Sequence, residues 1–394
     1  MNTEGHVWTQ QRRVSLTKLR DLGFGRKSLD LSMVQEVDYV IDKLLEHSGS
    51  SVKINSTFNA AIINVLWQIV ASKRFEPDHP DTERMMAMLN AQFKAGIRPV
   101  FFVPHFLGKY VPLQDVDHYL LEMKSMMRKL ISEHKESIDH ENPRDFIDVY
   151  LTEMKSNPSL DEEHLAVICV DFFQAGSETT STTLNWVSVQ FCLRRLKHLI
   201  TYIYHHINFF HHHFQAVLFM TLNPEVQKKV QAEIHSNIGP RSPTMDDVHS
   251  LPYVVATIME IQRLGVIAPG SLIHILLKDQ QFNGYYFEKG TSFVSNLTKF
   301  LMDPMVFDSP HTLNPDRFLD ENMKIRKYEQ FVPFGIGKRI CMGDSLAKNE
   351  MFLFFVRIMQ RVTFEATHNV PSIQNVTTGI TRIPHPFEVK VKST

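Results

Sequence analysis

A single cysteine in a glycine-rich loop is the residue of this chain that is best suited to chemistry. Cys341 lies within the stretch Phe331-Val-Pro-Phe-Gly-Ile-Gly-Lys-Arg-Ile-Cys-Met-Gly343. Apolar residues recur at three- and four-residue spacing over 346–359, which predicts a helix that begins at or just after the cysteine. The positive end of that helix and the adjacent Lys338 and Arg339 are expected to favour a thiolate, the form of cysteine that binds metals. The alternative for a lone cysteine is a small buried apolar residue.

The loop also matches a longer signature, Phe-x-x-Gly-x-Arg-x-Cys-x-Gly. The matching residues are Phe334, Gly337, Arg339, Cys341 and Gly343. In this respect the chain resembles the haem-thiolate monooxygenases, the cytochrome P-450 family. The resemblance implies that haem b is the cofactor, that Cys341 is the axial ligand of the iron and that Arg339 contacts a haem propionate. A thiolate ligand supplies electron density that favours O–O cleavage, the step that makes a monooxygenase.

Two further stretches resemble parts of a haem site. Trp8 and Arg12 are four residues apart on a predicted helix and therefore share one face. By themselves they are equally consistent with a solvated arginine, but the resemblance implies that this helix lies under the haem and that Arg12 pairs with a propionate. In the same way, the stretch Ala268-Pro-Gly-Ser-Leu-Ile-His274 resembles a strand at the substrate pocket, and His274 resembles a propionate donor.

A carboxylate beside a hydroxyl marks the next candidate site. The capping box Ser159-Leu-Asp-Glu162 predicts a long helix that contains Ala175-Gly-Ser-Glu-Thr-Thr180. This sequence resembles the oxygen-activation motif of the family. The resemblance implies that Gly176 lets the helix backbone approach the distal face of the iron, and that Glu178 and Thr179 hold water and relay protons.

Three charged residues are predicted to have a structural role. Glu260 and Arg263 lie three apart on a predicted helix and can pair, although most such pairs are solvated surface. The resemblance implies a buried ion network that also includes Arg317 of the segment Asn314-Pro-Asp-Arg-Phe318. Each charge in such a network depends on its partners, so the loss of one is expected to be severely destabilising.

Residues 187–215 differ in composition from the rest of the chain. They hold many aromatic residues and a histidine cluster at 205, 206 and 211–213, but no acidic residue. Clustered histidines suggest a zinc or nickel site, and the low charge suggests a membrane span, against which mid-span histidines argue. The third interpretation is genetic. Removal of 187–215 rejoins a continuous helical pattern, and Val187-Ser188 and Phe214-Gln215 can be encoded as consensus intron ends, so we predict a retained intron.

Composition restricts the class of protein. Of 394 residues, 42 are Lys or Arg and 43 are Asp or Glu, which gives no electrostatic case for nucleic acid binding. The three cysteines, Cys169, Cys192 and Cys341, form no disulfide framework and are typical of a reducing compartment. No stretch near Met1 has the length and apolarity of a signal peptide or membrane anchor.

The resemblance covers residues 4–392 without 187–215, and its wording is closest to microsomal animal members, insect ones among them. It implies a single haem-thiolate monooxygenase domain over 1–394, mainly α with small β-sheets, that lacks the N-terminal anchor and first sheet strands. The implied reaction inserts one oxygen atom from O2 into an apolar small molecule: a sterol, a terpenoid or fatty-acid hormone, or a xenobiotic. The apolar loop with Phe101, Phe102 and Phe106 contacts that substrate or packs on the core.

The implied partner is an NADPH-dependent flavoprotein reductase that docks near Lys338, and the implied location is the cytoplasmic face of the endoplasmic reticulum membrane, with peripheral membrane contact. Two rival functions are a haem-thiolate isomerase or dehydratase, and a non-catalytic or misfolded truncated product.

Overall fold

The chain forms a mainly helical structure with small antiparallel sheets, as predicted. The computed structural model describes residues 5–23, 27–53, 57–76, 84–85, 87–88, 115–184, 215–367, 376–378, 381–384 and 388–394. The aromatic loop with Phe101, Phe102 and Phe106, and all of the predicted intron except Gln215, lie outside these residues.

The predicted helices around Trp8, Ala175–Thr180, Glu260 and residues 346–359 are all present. The described helices are α1 (Gly5–Asp21), α2 (Lys27–Leu45), α3 (Thr57–Ala71), α4 (Asp115–Ser137), α5 (Phe146–Met154), α6 (Glu162–Leu184), α7 (Gln215–Leu222), α8 (Pro224–Asn237), α9 (Pro252–Gly265), α10 (Leu297–Leu301) and α11 (Asp344–Arg361). Short 3-10 turns occur at Met245–Ser250, Pro315–Phe318 and Gly337–Arg339. In this described part of the chain no helix is long and apolar enough to cross a membrane.

The strands form one three-stranded sheet and three two-stranded pairs among the described residues. They are β1 (Ser51–Lys53), β2 (His274–Ile275), β3 (Gln280–Phe282), β4 (Tyr285–Phe287), β5 (Ser292–Phe293), β6 (Val362–Ala366), β7 (Val376–Thr378), β8 (Arg382–Pro384) and β9 (Glu388–Ser393). In the larger sheet β9 pairs antiparallel with β1 and β6, in the registers Ser51↔Lys390 and Val362↔Ser393. The pairs β2–β5, β3–β4 and β7–β8 are also antiparallel.

Aromatic packing between α3 and α6 anchors the core. Trp67 of α3 is 2% exposed and meets Phe173 of α6 edge to face, with ring centroids 5.3 Å apart. Aromatic pairs prefer this geometry because the positive edge of one ring faces the negative face of the other. On the other side of the core, Arg357 of α11 donates to Asp38 of α2 at 2.7 Å. These contacts hold α6 and α11, the helices that carry the predicted functional residues, inside the helical layer.

The start of α6 corrects one prediction. The side chain of Asp161 accepts a hydrogen bond from the backbone N–H of His164 at 2.7 Å, so Asp161 caps this helix. The hydroxyl of Ser159 donates instead to Asn157 at 2.8 Å. The predicted capping box at Ser159 and Glu162 is therefore wrong. An aspartate directly before the helix has the shorter reach to the free N–H groups.

Candidate haem site

The Cys341 loop is shaped by hydrogen bonds within its own backbone. The N–H of Cys341 donates to the carbonyl of Phe334 at 3.0 Å, which closes the loop immediately before α11. Gly337 has φ +75°, a left-handed conformation that favours glycine, and a Cβ built there would meet nothing within 4 Å. The loop therefore leaves open space beside the cysteine, which is itself exposed.

Three predicted residues meet next to this loop. The guanidinium of Arg339 lies 3.8 Å from the ring centroid of Trp8, and that of Arg12 lies 5.8 Å from it. Arg12 also donates to the carbonyl oxygen of Ile340 at 2.7 Å, which fixes α1 against the loop. We refer to Trp8, Arg12 and Arg339 as the arginine–tryptophan cluster.

The two arginines of this cluster repel each other. Burial lowers the pKa of Arg339, and the positive charge of Arg12 lowers it further. Burial also lowers the pKa of Arg12, whereas the negative charge of Asp344 raises it, as Cys341 does when it is a thiolate. Two positive charges held together beside an accessible sulfur attract an anionic group, and the two propionates of a haem equal them in number and are opposite in sign.

The surroundings of Cys341 favour the neutral thiol, whereas the sequence predicted a thiolate. Cys341 is exposed as a residue, but protein still surrounds much of its sulfur, and this burial is the largest effect that raises its pKa. The negative charge of Asp344 raises the pKa further. The N–H of Gly343, Arg12 and Lys348 act in the opposite direction but do not outweigh burial. The prediction from Lys338 and Arg339 is therefore wrong, since desolvation exceeds the effect of the nearby charges.

Lys348 is a member of the site that the sequence reasoning missed. It lies four residues after Asp344, one turn into α11, and its ammonium is 5.2 Å from the ring centroid of Phe334. The i, i+4 spacing from Asp344, to which Lys348 donates at 3.0 Å, was the available signal. Gly343 is the N-cap residue of α11, and a Cβ there would meet nothing within 4 Å.

The candidate proton-relay residues lie within α6. The hydroxyl of Thr179 donates to the carbonyl of Ala175 at 2.6 Å, one turn earlier. Glu178 lies in the same helix, but its side chain is outside the described residues. A Cβ at Gly176 would lie 2.6 Å from the Cδ2 of Leu66, so the close approach at this glycine is to a side chain of α3.

His274 lies apart from the arginine–tryptophan cluster in the described contacts. Its Nδ1 is 2.7 Å from the carbonyl oxygen of Leu272, and its ring stacks on Phe293 of β5 with centroids 5.3 Å apart. The pairing of β2 with β5 positions both rings.

The structure brings the three charged residues of the predicted network together. Glu260 accepts two hydrogen bonds from Arg263, at 2.7 and 2.8 Å, and one from Arg317 at 2.9 Å. Glu260 and Arg263 are 0% exposed. Arg263 also donates to the carbonyl oxygens of Leu301 and Pro310, so four oxygen atoms accept hydrogen bonds from its guanidinium.

Comparison with known proteins assigns the chain to a family. The family model of cytochrome P450 matches residues 1–194 and 214–391. The chain is 35% identical to cytochrome P450 2U1 of Homo sapiens, over 98% of this chain and 68% of that protein. It is 32% identical to cytochrome P450 2B4 of Oryctolagus cuniculus, over 98% and 75%, and 34% identical to cytochrome P450 2J2 of Homo sapiens, over 97% and 72%.

The chain therefore belongs to the cytochrome P450 family. Membership makes it an oxidoreductase of the monooxygenase type with haem b as its cofactor, as the sequence predicted. The family match omits residues 195–213, which fall inside the segment 187–215. A retained intron as the origin of that segment stays a prediction.

Proposed function

We propose that Cys341 is the axial ligand of the haem iron and that the arginine–tryptophan cluster binds the haem propionates. The observation that carries the proposal is the meeting of Trp8, Arg12 and Arg339 beside an accessible cysteine, although the chain separates Arg12 from the loop by more than three hundred residues. A coordinating thiol is deprotonated outright, so the raised pKa of Cys341 does not oppose ligation. When bound, haem with a thiolate ligand supplies the oxygen chemistry of the reaction.

The protein groups around the haem have distinct proposed roles. Arg12 and Arg339 orient the cofactor through charge, and Phe334 shapes the loop by accepting the N–H of Cys341. His274 is proposed as a further propionate donor. The hydroxyl of Thr179 donates to the carbonyl of Ala175, and a hydroxyl oxygen can also accept a hydrogen bond. Thr179 and Glu178 would hold water and move protons for that chemistry.

The proposed reaction inserts one oxygen atom from O2 into an apolar small molecule and reduces the other to water. The substrate class is a sterol, a terpenoid or fatty-acid hormone, or a xenobiotic. The electrons would come from NADPH through a flavoprotein reductase that docks near Lys338. The proposed location is the cytoplasmic face of the endoplasmic reticulum membrane. Dependence of turnover on the reductase distinguishes this reaction from a haem-thiolate isomerase or dehydratase, which consumes no electrons.

A carbon monoxide difference spectrum of the reduced protein tests the ligand. The parent protein should show the Soret band of a thiolate-ligated haem, and Cys341→Ser should lose it. Cys169→Ser is the matched control, because Cys169 is 0% exposed in α6 and should leave the band in place. Absence of the band from the parent protein, or its persistence in Cys341→Ser, would end the proposal.

A further inference from the structure

The buried face of α1 is polar at two of its three positions. Gln11, Ser15 and Leu19 follow one another at four-residue spacing and are 2%, 0% and 3% exposed. Residues at this spacing form one stripe along a helix, and apolar side chains normally fill a stripe that faces the core. Polar side chains that are buried in this way call for specific partners.

The partner of Gln11 lies on α5. The hydroxyl of Tyr150 donates to Oε1 of Gln11 at 2.7 Å, and Tyr150 is itself 0% exposed. The ring centroid of Tyr150 lies 5.9 Å from that of Phe146, and the ring of Phe146 meets Phe172 of α6 edge to face at 5.2 Å. Aromatic packing therefore fixes the donor on α5. Because a hydrogen bond weakens steeply with distance and angle, the bond ties the position of α1 to that of α5.

Two polar atoms of this stripe have no hydrogen-bond partner in the described part of the chain. They are Nε2 of Gln11 and Oγ of Ser15, and both are buried. A buried amide that makes only part of its hydrogen bonds carries a cost that an apolar side chain of similar size does not. Stability alone would therefore favour an apolar residue at position 11. What the glutamine adds is direction, since apolar contacts are non-directional and a buried hydrogen bond is not.

The neighbours of Gln11 along α1 belong to the proposed haem site. Arg12 is the next residue, and it donates to the carbonyl oxygen of Ile340 at 2.7 Å. Trp8 lies three residues earlier, and its ring faces the Cys341 loop. A shift of α1 by one residue turns its faces by about 100°, which would carry both side chains away from that loop. The position of α1 therefore decides whether the site is assembled.

We propose that the buried hydrogen bond between Tyr150 and Gln11 sets the rotation and axial position of α1, so that both are positioning residues for the arginine–tryptophan cluster. Lys18 and Glu153 join the same two helices at 2.8 Å, with 26% and 30% of the side chains exposed. Such a pair in contact with water is weak, so it does not fix the helix. That the cluster holds haem propionates rests on the proposed function. The bond and its effect on α1 do not.

A double-mutant cycle tests the bond itself. Tyr150→Phe leaves the Gln11 oxygen without its donor, and Gln11→Met leaves the Tyr150 hydroxyl without its acceptor. Each should lower the unfolding midpoint of the haem-loaded protein, and the double variant should lose less than the sum, because it replaces both polar groups by apolar ones. The matched control is Lys18→Met, which removes the exposed link between the same two helices. Its effect should add to that of Tyr150→Phe. Additivity in the Gln11 cycle would overturn the proposal.

The rate of haem release tests the positioning role. Tyr150→Phe and Gln11→Met should each speed the transfer of haem to an acceptor protein several-fold, under conditions in which the protein stays folded. Lys18→Met should release haem at the parent rate. The double variant separates position from stability: it loses less stability than the sum, but its haem release should be at least as fast as in either single variant, because no directional bond is restored. A parent rate in the single variants, or a return to that rate in the double variant, would overturn the positioning role.

The Arg12→Leu background tests whether Gln11 acts through α1. Because Gln11 contacts Tyr150 and reaches the haem site only through its neighbours in the helix, Gln11→Met should speed haem release less in Arg12→Leu than in the parent protein. An undiminished effect in that background would overturn the positioning role. Absence of the thiolate-type Soret band from the parent protein would instead defeat the proposed function, and the unfolding cycle would still decide the bond.

Discussion

The protein contains two groups of arginines that differ in how their charge is balanced. Around Glu260 both guanidiniums bond one carboxylate, and Glu260 and Arg263 are fully buried. In the arginine–tryptophan cluster, the guanidiniums of Arg12 and Arg339 instead meet over one aromatic ring beside an exposed cysteine. The first group balances its charge within the protein and is suited to stability. The second concentrates positive charge at an open loop and is suited to an anionic ligand.

The largest expected effect is the loss of Glu260. Glu260→Ala leaves Arg263 and Arg317 as buried cations without their carboxylate, and such a change lowers the free energy of unfolding by about 3–5 kcal/mol. Urea unfolding of the haem-loaded protein measures it. The control is Glu225→Ala, since Glu225 pairs with Lys228 at 2.9 Å on the surface, with 80% and 71% of the side chains exposed. That change should cost less than about 1 kcal/mol. Equal losses would remove the distinction between a closed network and a surface pair.

The second prediction concerns the open cluster. Arg12→Leu removes a charge-assisted contact to the proposed propionate and the bond to Ile340. The expected loss of about 2 kcal/mol in the free energy of haem binding corresponds to haem release that is roughly thirtyfold faster. Transfer of haem to an acceptor protein measures the rate. Arg13→Leu is the control because Arg13 is the exposed neighbour on the same helix, and its release rate should match that of the parent protein. A loss of folding stability without faster haem release would contradict a ligand role for the cluster.

Local spacing made much of the fold predictable. The four-residue spacing of Trp8 and Arg12 and the three-residue spacing of Glu260 and Arg263 are properties of one helix, and both pairs meet in the structure. The helix after Cys341 followed from apolar periodicity in the same way. Features of this kind depend on residues a few positions apart, so they can be read from sequence.

The features that sequence reasoning missed depend on burial or on distant parts of the chain. The charges near Cys341 were visible, but whether they outweigh desolvation depends on how much protein surrounds the sulfur. Glu350 is 2% exposed and lies among buried apolar side chains of α11. A glutamate at i, i+4 spacing from the buried Leu346 and Phe354 was the available signal, because a charge within a core stripe calls for a specific partner.

The third prediction concerns a buried group of charges around His134, whose imidazolium can lose its proton. Nδ1 of His134 lies 2.8 Å from the carbonyl oxygen of Leu130, and Nε2 lies 3.0 Å from the carboxylate of Asp145. Because both partners are acceptors, both ring nitrogens carry a proton when the two hydrogen bonds are formed. Burial lowers the pKa of His134, but the bond to Asp145, the Leu130 carbonyl and the nearby Asp148 together raise it above 6.5.

Because the pKa of His134 is raised in the folded protein, its stabilisation is fully present below about pH 6.5 and is lost as the pH rises through the folded value. We expect the free energy of unfolding to fall over that range. His134→Gln should remove this part of the pH dependence, whereas His235→Gln, at an exposed position of α8, should leave it unchanged. Unfolding midpoints at several pH values measure it. An unchanged profile in His134→Gln would contradict the titration of His134 in this range.

The smallest expected effect is at Gly176, where apolar packing rather than charge sets the distance between two helices. Gly176→Ala gains up to about 1 kcal/mol of helix propensity, but the new Cβ lies 2.6 Å from the Cδ2 of Leu66. Overpacking of this kind costs about 1–3 kcal/mol, so we expect a net loss near 1 kcal/mol. The flexible end of Leu66 can rotate away, which keeps the loss small. Leu66→Val withdraws the obstructing methyl group, so the double variant should lose less than the sum of the single changes when unfolding midpoints are compared. A stabilised Gly176→Ala protein would mean that Leu66 yields freely and that α3 does not constrain the helix of Glu178 and Thr179.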